Sequence, residues 1–221
     1  MIRTEIFPLP PVNRREVLRY AGAREETPEL AALLEEAMME ASPVLRGTVC
    51  WQEFPISREG DTLDLGFVKT RSAALARNLS GCDRIVVFGA TLGLTLDRLI
   101  SRYGQVSPAK GLLLQAFGAE RIEGLCDVFC DKIRAEAAEC GLRTAPRFSP
   151  GYGDFPLETQ RDIFRVLDCS RKIGLTLNES YLMSPSKSVT AIIGLGPCVN
   201  PNHPTGCKIC GKTDCIYRRM P

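Results

Sequence analysis

Apolar residues recur at helical spacing over 13–20 and again over 28–39, where Leu30, Leu33, Leu34 and Met38 fall on one face behind a Thr27-Pro28 start. Both stretches predict amphipathic helices. Between 47 and 68 the period shortens toward two. GTVCWQEFPI (47–56) and TLDLGFV (62–68) alternate or run apolar on either side of a Ser-Arg-Glu-Gly-Asp turn, which predicts an antiparallel hairpin. A short helix over 72–79 leads through Ser80-Gly81 into DRIVVFGA (83–90), whose core Ile85-Val86-Val87-Phe88 suits a strand covered on both faces.

That strand ends in GATLG (89–93), a small-residue turn entering a helix over 95–103. Free amides at such a turn can hold an anion, although two glycines four apart are also ordinary turn material. A Ser107-Pro108 start opens the longest helix, which runs to about 138 with Leu114, Phe117, Ile122, Leu125, Phe129 and Ile133 on one face. This helix is expected to cross the sheet. Cys126 and Cys130 sit four apart on it and suit core packing, while Glu123 is its more interesting polar residue. A helix over 156–172 follows. The pattern closes with a hairpin of LTLNESYLM (175–183) and SVTAIIGLG (188–196) around Ser184-Pro185-Ser186-Lys187. Helices mixed with antiparallel strands, without a repeated βαβ unit, predict an α+β fold.

Composition narrows the classes. The 221 residues are 44% apolar and 24% charged, ordinary for a globular chain, and they divide into a main domain over 1–196 and a Cys-rich tail over 197–221. With 28 basic against 26 acidic side chains there is no basic field of the kind nonspecific nucleic-acid binding needs. No stretch approaches the ~18–20 apolar residues of a membrane span, and the N-terminus has no apolar h-region, so a cytoplasmic protein is expected. In that reducing compartment the ten cysteines point to core thiols, a metal site or redox chemistry.

The stretch RFSPGYGDFP (147–156) is too stiff and too kinked for helix or strand. Pro150 fixes φ and pushes Ser149 toward extended geometry, and Gly151 admits positive φ and close approach to the backbone. A loop stiffened in this way loses little entropy when a ligand arrives. Arg147 brings a planar fork suited to a carboxylate, and Tyr152 an apolar ring with a polar tip. The pair suits a zwitterionic, amino-acid-like ligand, and a sulfonium would gain cation–π attraction from the ring. The same composition also suits a plain connection between helices, with Arg147 on a surface carboxylate.

RFSPGYGDFP, followed after one helix by LNESYLMSPSKSV, closely resembles the S-adenosylmethionine-binding activation domain of cobalamin-dependent methionine synthase. That family pairs an Arg-x-x-x-Gly-Tyr-x-x-x-Pro loop with a Thr-Glu-Ser-aromatic-x-Met-x-Pro-x-x-Ser-Val segment. Arg147, Gly151, Tyr152 and Pro156 match the first element; Glu179, Ser180, Tyr181, Met183, Pro185, Ser188 and Val189 match the second, with Asn178 replacing the threonine. The resemblance spans 147–190. It implies a curved unit of helices around a twisted antiparallel sheet that holds S-adenosylmethionine in a shallow groove. It also implies reductive methylation of cob(II)alamin on a separate cobalamin-dependent methionine synthase or related corrinoid protein, with an electron from a donor such as flavodoxin or ferredoxin. Carried over by position, Arg147 grips the ligand's carboxylate, the backbone of Ser149 contacts its adenine or ribose end, Gly151 and Tyr152 line the groove, and Glu123 is the acidic residue of the long helix.

The family's aromatic C-terminal segment is replaced here by GPCVNPNHPTGCKICGKTDCIYRR, with Cys198, Cys207, Cys210 and Cys215 in a C-x8-C-x2-C-x4-C array around His203. Four thiolates separated by turn residues can converge on one metal. Zinc would make a structural knuckle and a [4Fe–4S] cluster an electron entry point; a reduced tail without metal and a redox pair at Cys207 and Cys210 are the other readings. Two further classes stay open: a self-sufficient S-adenosylmethionine-dependent small-molecule methyltransferase, and a zinc-ribbon-like binding module.

Overall fold

The computed structural model describes residues 1–198. In chain order the elements are β1 (Arg3–Ile6), α1 (Arg14–Ala21), α2 (Pro28–Ala41), a 3-10 turn (Ser42–Val44), β2 (Thr48–Pro55), β3 (Ser57–Glu59), β4 (Thr62–Asp64), β5 (Lys69–Thr70), α3 (Ala73–Asn78), β6 (Arg84–Thr91), α4 (Leu94–Val106), α5 (Pro108–Glu139), β7 (Arg143–Thr144), α6 (Thr159–Leu167), α7 (Cys169–Ile173), β8 (Thr176–Leu177), β9 (Met183–Ser184) and β10 (Ser188–Gly196). The architecture is α+β, as the mixed pattern predicts.

Five strands form the main sheet in the order β1-β2-β6-β10-β7, every neighbouring pair antiparallel. β6 is central and buried from Ile85 to Thr91, because helices cover both faces of the sheet. Alternation along the strand sends Val86, Phe88 and Ala90 into one core and Ile85 and Val87 into the other. On the first face, α1, α2 and α5 close over an aromatic cluster in which Phe129 meets Phe88 at 4.8 Å and Trp51 at 5.2 Å between ring centroids. On the second face, α3, α6 and α7 bring Leu75, Ile163, Leu167 and Cys169 onto Ile85, Val87 and Ile192. The 32 residues of α5 give a rod about 48 Å long that spans the first face. Among the described residues no helix is long and apolar enough to cross a membrane.

The structure departs from expectation in three places, two strand pairings and one helix. The segments over 47–56 and 62–68 do not pair with each other: β2 lies between β1 and β6, while β4 pairs with β3 inside the expected turn. Val49, Cys50 and Trp51 are consecutive and all buried, so β2 needs cover on both faces, which a two-stranded hairpin does not provide. Likewise β10 pairs with β6 and β7, while β8 finds β9. The expected helix over 156–172 breaks at Asp168, whose φ of 48° ends α6 and starts α7 at a new angle.

Candidate functional site

Glu123 and Asp127 are four residues apart on α5, one turn above each other on the same face. Beyond β7, the chain continues as an edge along β10. Ala145 N donates to Gly194 O at 2.8 Å, and Phe148 and Ile192 exchange both backbone bonds at 2.9 Å. This pairing fixes the backbone on either side of Arg147 and delivers its side chain to α5. There Arg147 Nη2 donates to Glu123 Oε2 at 2.6 Å and Nη1 to Asp127 Oδ1 at 2.5 Å, with the Cys130 sulfur 3.9 Å from Nη1.

Two carboxylates on one guanidinium leave the cluster net negative. Burial works against the charge on Arg147, but the carboxylates of Glu123 and Asp127 outweigh that and raise its pKa. The Arg147 side chain is 24% exposed, Glu123 35% and Asp127 60%, so the cluster opens toward solvent on the Asp127 side. Burial raises the Cys126 and Cys130 thiols, which are therefore neutral packing groups beneath the cluster.

Tyr152 stands at the rim with an exposure of 65%, its ring 6.2 Å from that of Phe148. Partial burial and the charge of Glu123 push its phenol up, Arg147 pulls the other way, and the Tyr20 phenol at the end of α1 adds to the rise. Tyr152 thus lies within electrostatic reach of Glu123 and Arg147, on the loop that carries Arg147. The backbone beneath the ring is a closed set of turns: Tyr152 N donates to Ser149 O at 3.2 Å, Phe155 N to Tyr152 O at 3.0 Å, and Gly151 N to Phe155 O at 2.9 Å. Gly151 takes a φ of 89° and Gly153 of 57°, values that L side chains rarely adopt. Ser149 is half-buried, with its carbonyl already accepting within this turn.

The loop is tied down at both ends of its tip. Phe155 is buried in the second core. The Asp154 carboxylate accepts from Ser72 Oγ and from the Ala73 and Ala74 amides, at 2.8 Å and 3.0 Å for the amides, so it caps α3 from a distant part of the chain. These bonds hold its pKa down to about 2. Asp127 and Asp154 are the two residues that sequence reasoning missed. The i to i+4 spacing from Glu123 was a legible signal for the first; nothing local marks the partner of the second.

The second matched element lies beside α6. Arg161 Nη2 donates to Glu179 O at 3.2 Å, its guanidinium stands 4.6 Å over the Tyr181 ring, and Ser188 Oγ donates to Pro185 O at 2.8 Å. The adjacent open groove, lined by Arg161, Phe164, Arg165, Asp168 and Leu175, shares no residue with the Arg147 cluster. At the GATLG turn, Asp97 in the first turn of α4 accepts from the Ser186 amide and hydroxyl, placing negative charge where an anion would have to sit.

Cys198 is exposed. Cys207, Cys210, Cys215 and His203 lie outside the described residues. Among the described residues no group of three or more His, Cys, Asp or Glu side chains is placed to hold a metal ion.

Comparison with known proteins fits this fold. The family model described as "Vitamin B12 dependent methionine synthase, activation domain" matches residues 75–200, more than half of the chain. Among solved structures, the MetH reactivation domain bound to AdoHcy is similar to this chain with a TM-score of 0.64 and 18% identity, covering 90% of this chain and 80% of that one. At that identity the likeness establishes the fold. No curated protein matches the chain.

Proposed function

Because the chain belongs to the family of vitamin B12-dependent methionine synthase activation domains, we propose that it binds S-adenosylmethionine beside Arg147 and Tyr152. In this reading it supports reductive methylation of cob(II)alamin carried by a separate, cytoplasmic corrinoid protein. The observation that carries the reading is the arginine fork shared by two carboxylates at a place that opens to solvent, with the exposed Tyr152 ring on the same stiff loop.

This donor set suits the ligand's three charged groups. The guanidinium answers the α-carboxylate in the planar geometry that only arginine offers. Glu123, held from one side by Arg147, offers its remaining lone pairs to the α-ammonium. The exposed face of Tyr152 suits the sulfonium, which a ring quadrupole attracts. Gly151, without a Cβ, lets the adenosine end approach the backbone next to Ser149. When bound, S-adenosylmethionine would supply the methyl group and leave as S-adenosylhomocysteine, and the one electron that the partner's cob(II)alamin needs to accept that methyl would come from a flavodoxin- or ferredoxin-like donor.

Cys198, Cys207, Cys210 and Cys215 have the donor chemistry for a [4Fe–4S] cluster or for zinc. We favour the cluster, since the reaction consumes an electron. Protein purified without oxygen should then carry about four irons per chain and a broad visible charge-transfer shoulder. Stoichiometric zinc without that shoulder removes the cluster.

The binding reading is tested by calorimetric titration of the intact protein with S-adenosylmethionine and S-adenosylhomocysteine. A saturable one-to-one isotherm with both is the expected result. The absence of heat with either overturns the reading.

A further inference from the structure

We infer that Asp127 is a built-in competitor for the ligand's carboxylate at Arg147, and so sets how strongly the site favours ligands with an amino-acid end. The inference rests on the binding reading above. It starts from how the guanidinium is used. A carboxylate binds arginine best across two parallel N–H groups, and the terminal pair here, Nη2 and Nη1, is divided between Glu123 and Asp127. Each terminal nitrogen has two N–H groups, and a ligand carboxylate brought to that edge competes for them with the two acids already there.

Exposure decides which one leaves. Asp127 is 60% exposed and is rehydrated at once when its contact breaks, whereas Glu123 at 35% would leave a charge in a half-buried place. Around Nη1 the nearby Cys130 sulfur, 3.9 Å away, is a weak acceptor that holds the position poorly by itself. The exchange is thus Asp127 out and ligand carboxylate in, with Glu123 left on Nη2. Binding of a ligand that brings a carboxylate includes the work of opening the Arg147–Asp127 ion pair, and binding of one without a carboxylate does not.

The test compares S-adenosylhomocysteine with 5′-methylthioadenosine, which keeps the adenosine and thioether but has no amino-acid end, on the wild-type chain and on Asp127→Asn and Asp127→Ala. An exposed ion pair of this kind corresponds to a gain of about fivefold when it no longer has to be broken. The expected result is S-adenosylhomocysteine binding about fivefold more tightly to both variants, with methylthioadenosine unchanged. Asp131→Asn makes the same charge change one turn further along α5, at a residue paired locally with Arg134, and should leave both affinities alone. Equal or weaker S-adenosylhomocysteine binding by the Asp127 variants overturns the competition while leaving the binding reading intact. A wild-type chain that binds neither compound overturns both.

Discussion

Asp154 caps the helix that begins after Ser72: across 82 residues of sequence its carboxylate accepts from the Ser72 hydroxyl, and from the Ala73 amide at 2.8 Å. The loop carrying Arg147 and Tyr152 is thereby anchored to α3, and so to the second core.

This anchor has a pH signature. The Asp154 pKa in the folded chain, about 2, lies below its ordinary value of 3.8, so protonation favours the unfolded chain. Its contribution is complete above about pH 4 and is lost as the pH falls toward 2. Asp154→Ala should lower stability at neutral pH and flatten the acid dependence in that window. Urea unfolding at a series of pH values checks this, and parallel acid profiles for the two proteins would contradict it.

Arg147 is the side chain on which ligand binding depends most. Arg147→Ala removes a charge-assisted contact worth about 2 kcal/mol, a loss of about thirtyfold in affinity for S-adenosylmethionine. Arg147→Lys keeps the charge without the fork and should fall between. Calorimetry on the three proteins gives the ranking.

Packing at the far end of β10 leaves no room for a side chain. A Cβ at Gly196 would lie 2.0 Å from the Gly81 carbonyl oxygen, a backbone atom that cannot rotate aside. Gly196→Ala should destabilise by about 3 kcal/mol, read as a lowered denaturation midpoint with an unchanged denaturant slope.

Thiol reactivity should follow burial. Cys140 and Cys198 are exposed, while Cys50, Cys126 and Cys169 are fully buried, the sulfurs of Cys50 and Cys169 3.9 Å apart behind Gly89. Iodoacetamide followed by mass spectrometry should modify Cys140 in the native protein, Cys198 there only when no metal holds it, and the last three only after unfolding. Early labelling of Cys169 would mean that α7 opens away from the sheet.

Much of this fold is legible in the chain because its signals are local. Helical periodicity placed α2 and α5 to within a few residues, since repeating apolar positions need only one buried face to be meaningful. The run Ile85-Val86-Val87-Phe88 announced a strand with two covered faces, and β6 is that strand. What went astray was pairing. Two apolar runs flanking a turn look like a hairpin, and the chain does not say locally that β2 has stronger partners in β1 and β6. β1 itself was missed, because Arg3–Ile6 is exposed along its whole length and carries no apolar alternation.

By itself the sequence determined most of the helices, the central strand, the stiff loop and, through motif order and spacing, the family. These depend on neighbours within a few positions, where backbone geometry and side-chain period are decided. Only the tertiary structure decided strand partners, the cap that Asp154 supplies to α3, and the two acids that share Arg147. Those depend on distances between residues remote along the chain, which are set by the burial of both sheet faces at once and leave no trace in any single segment.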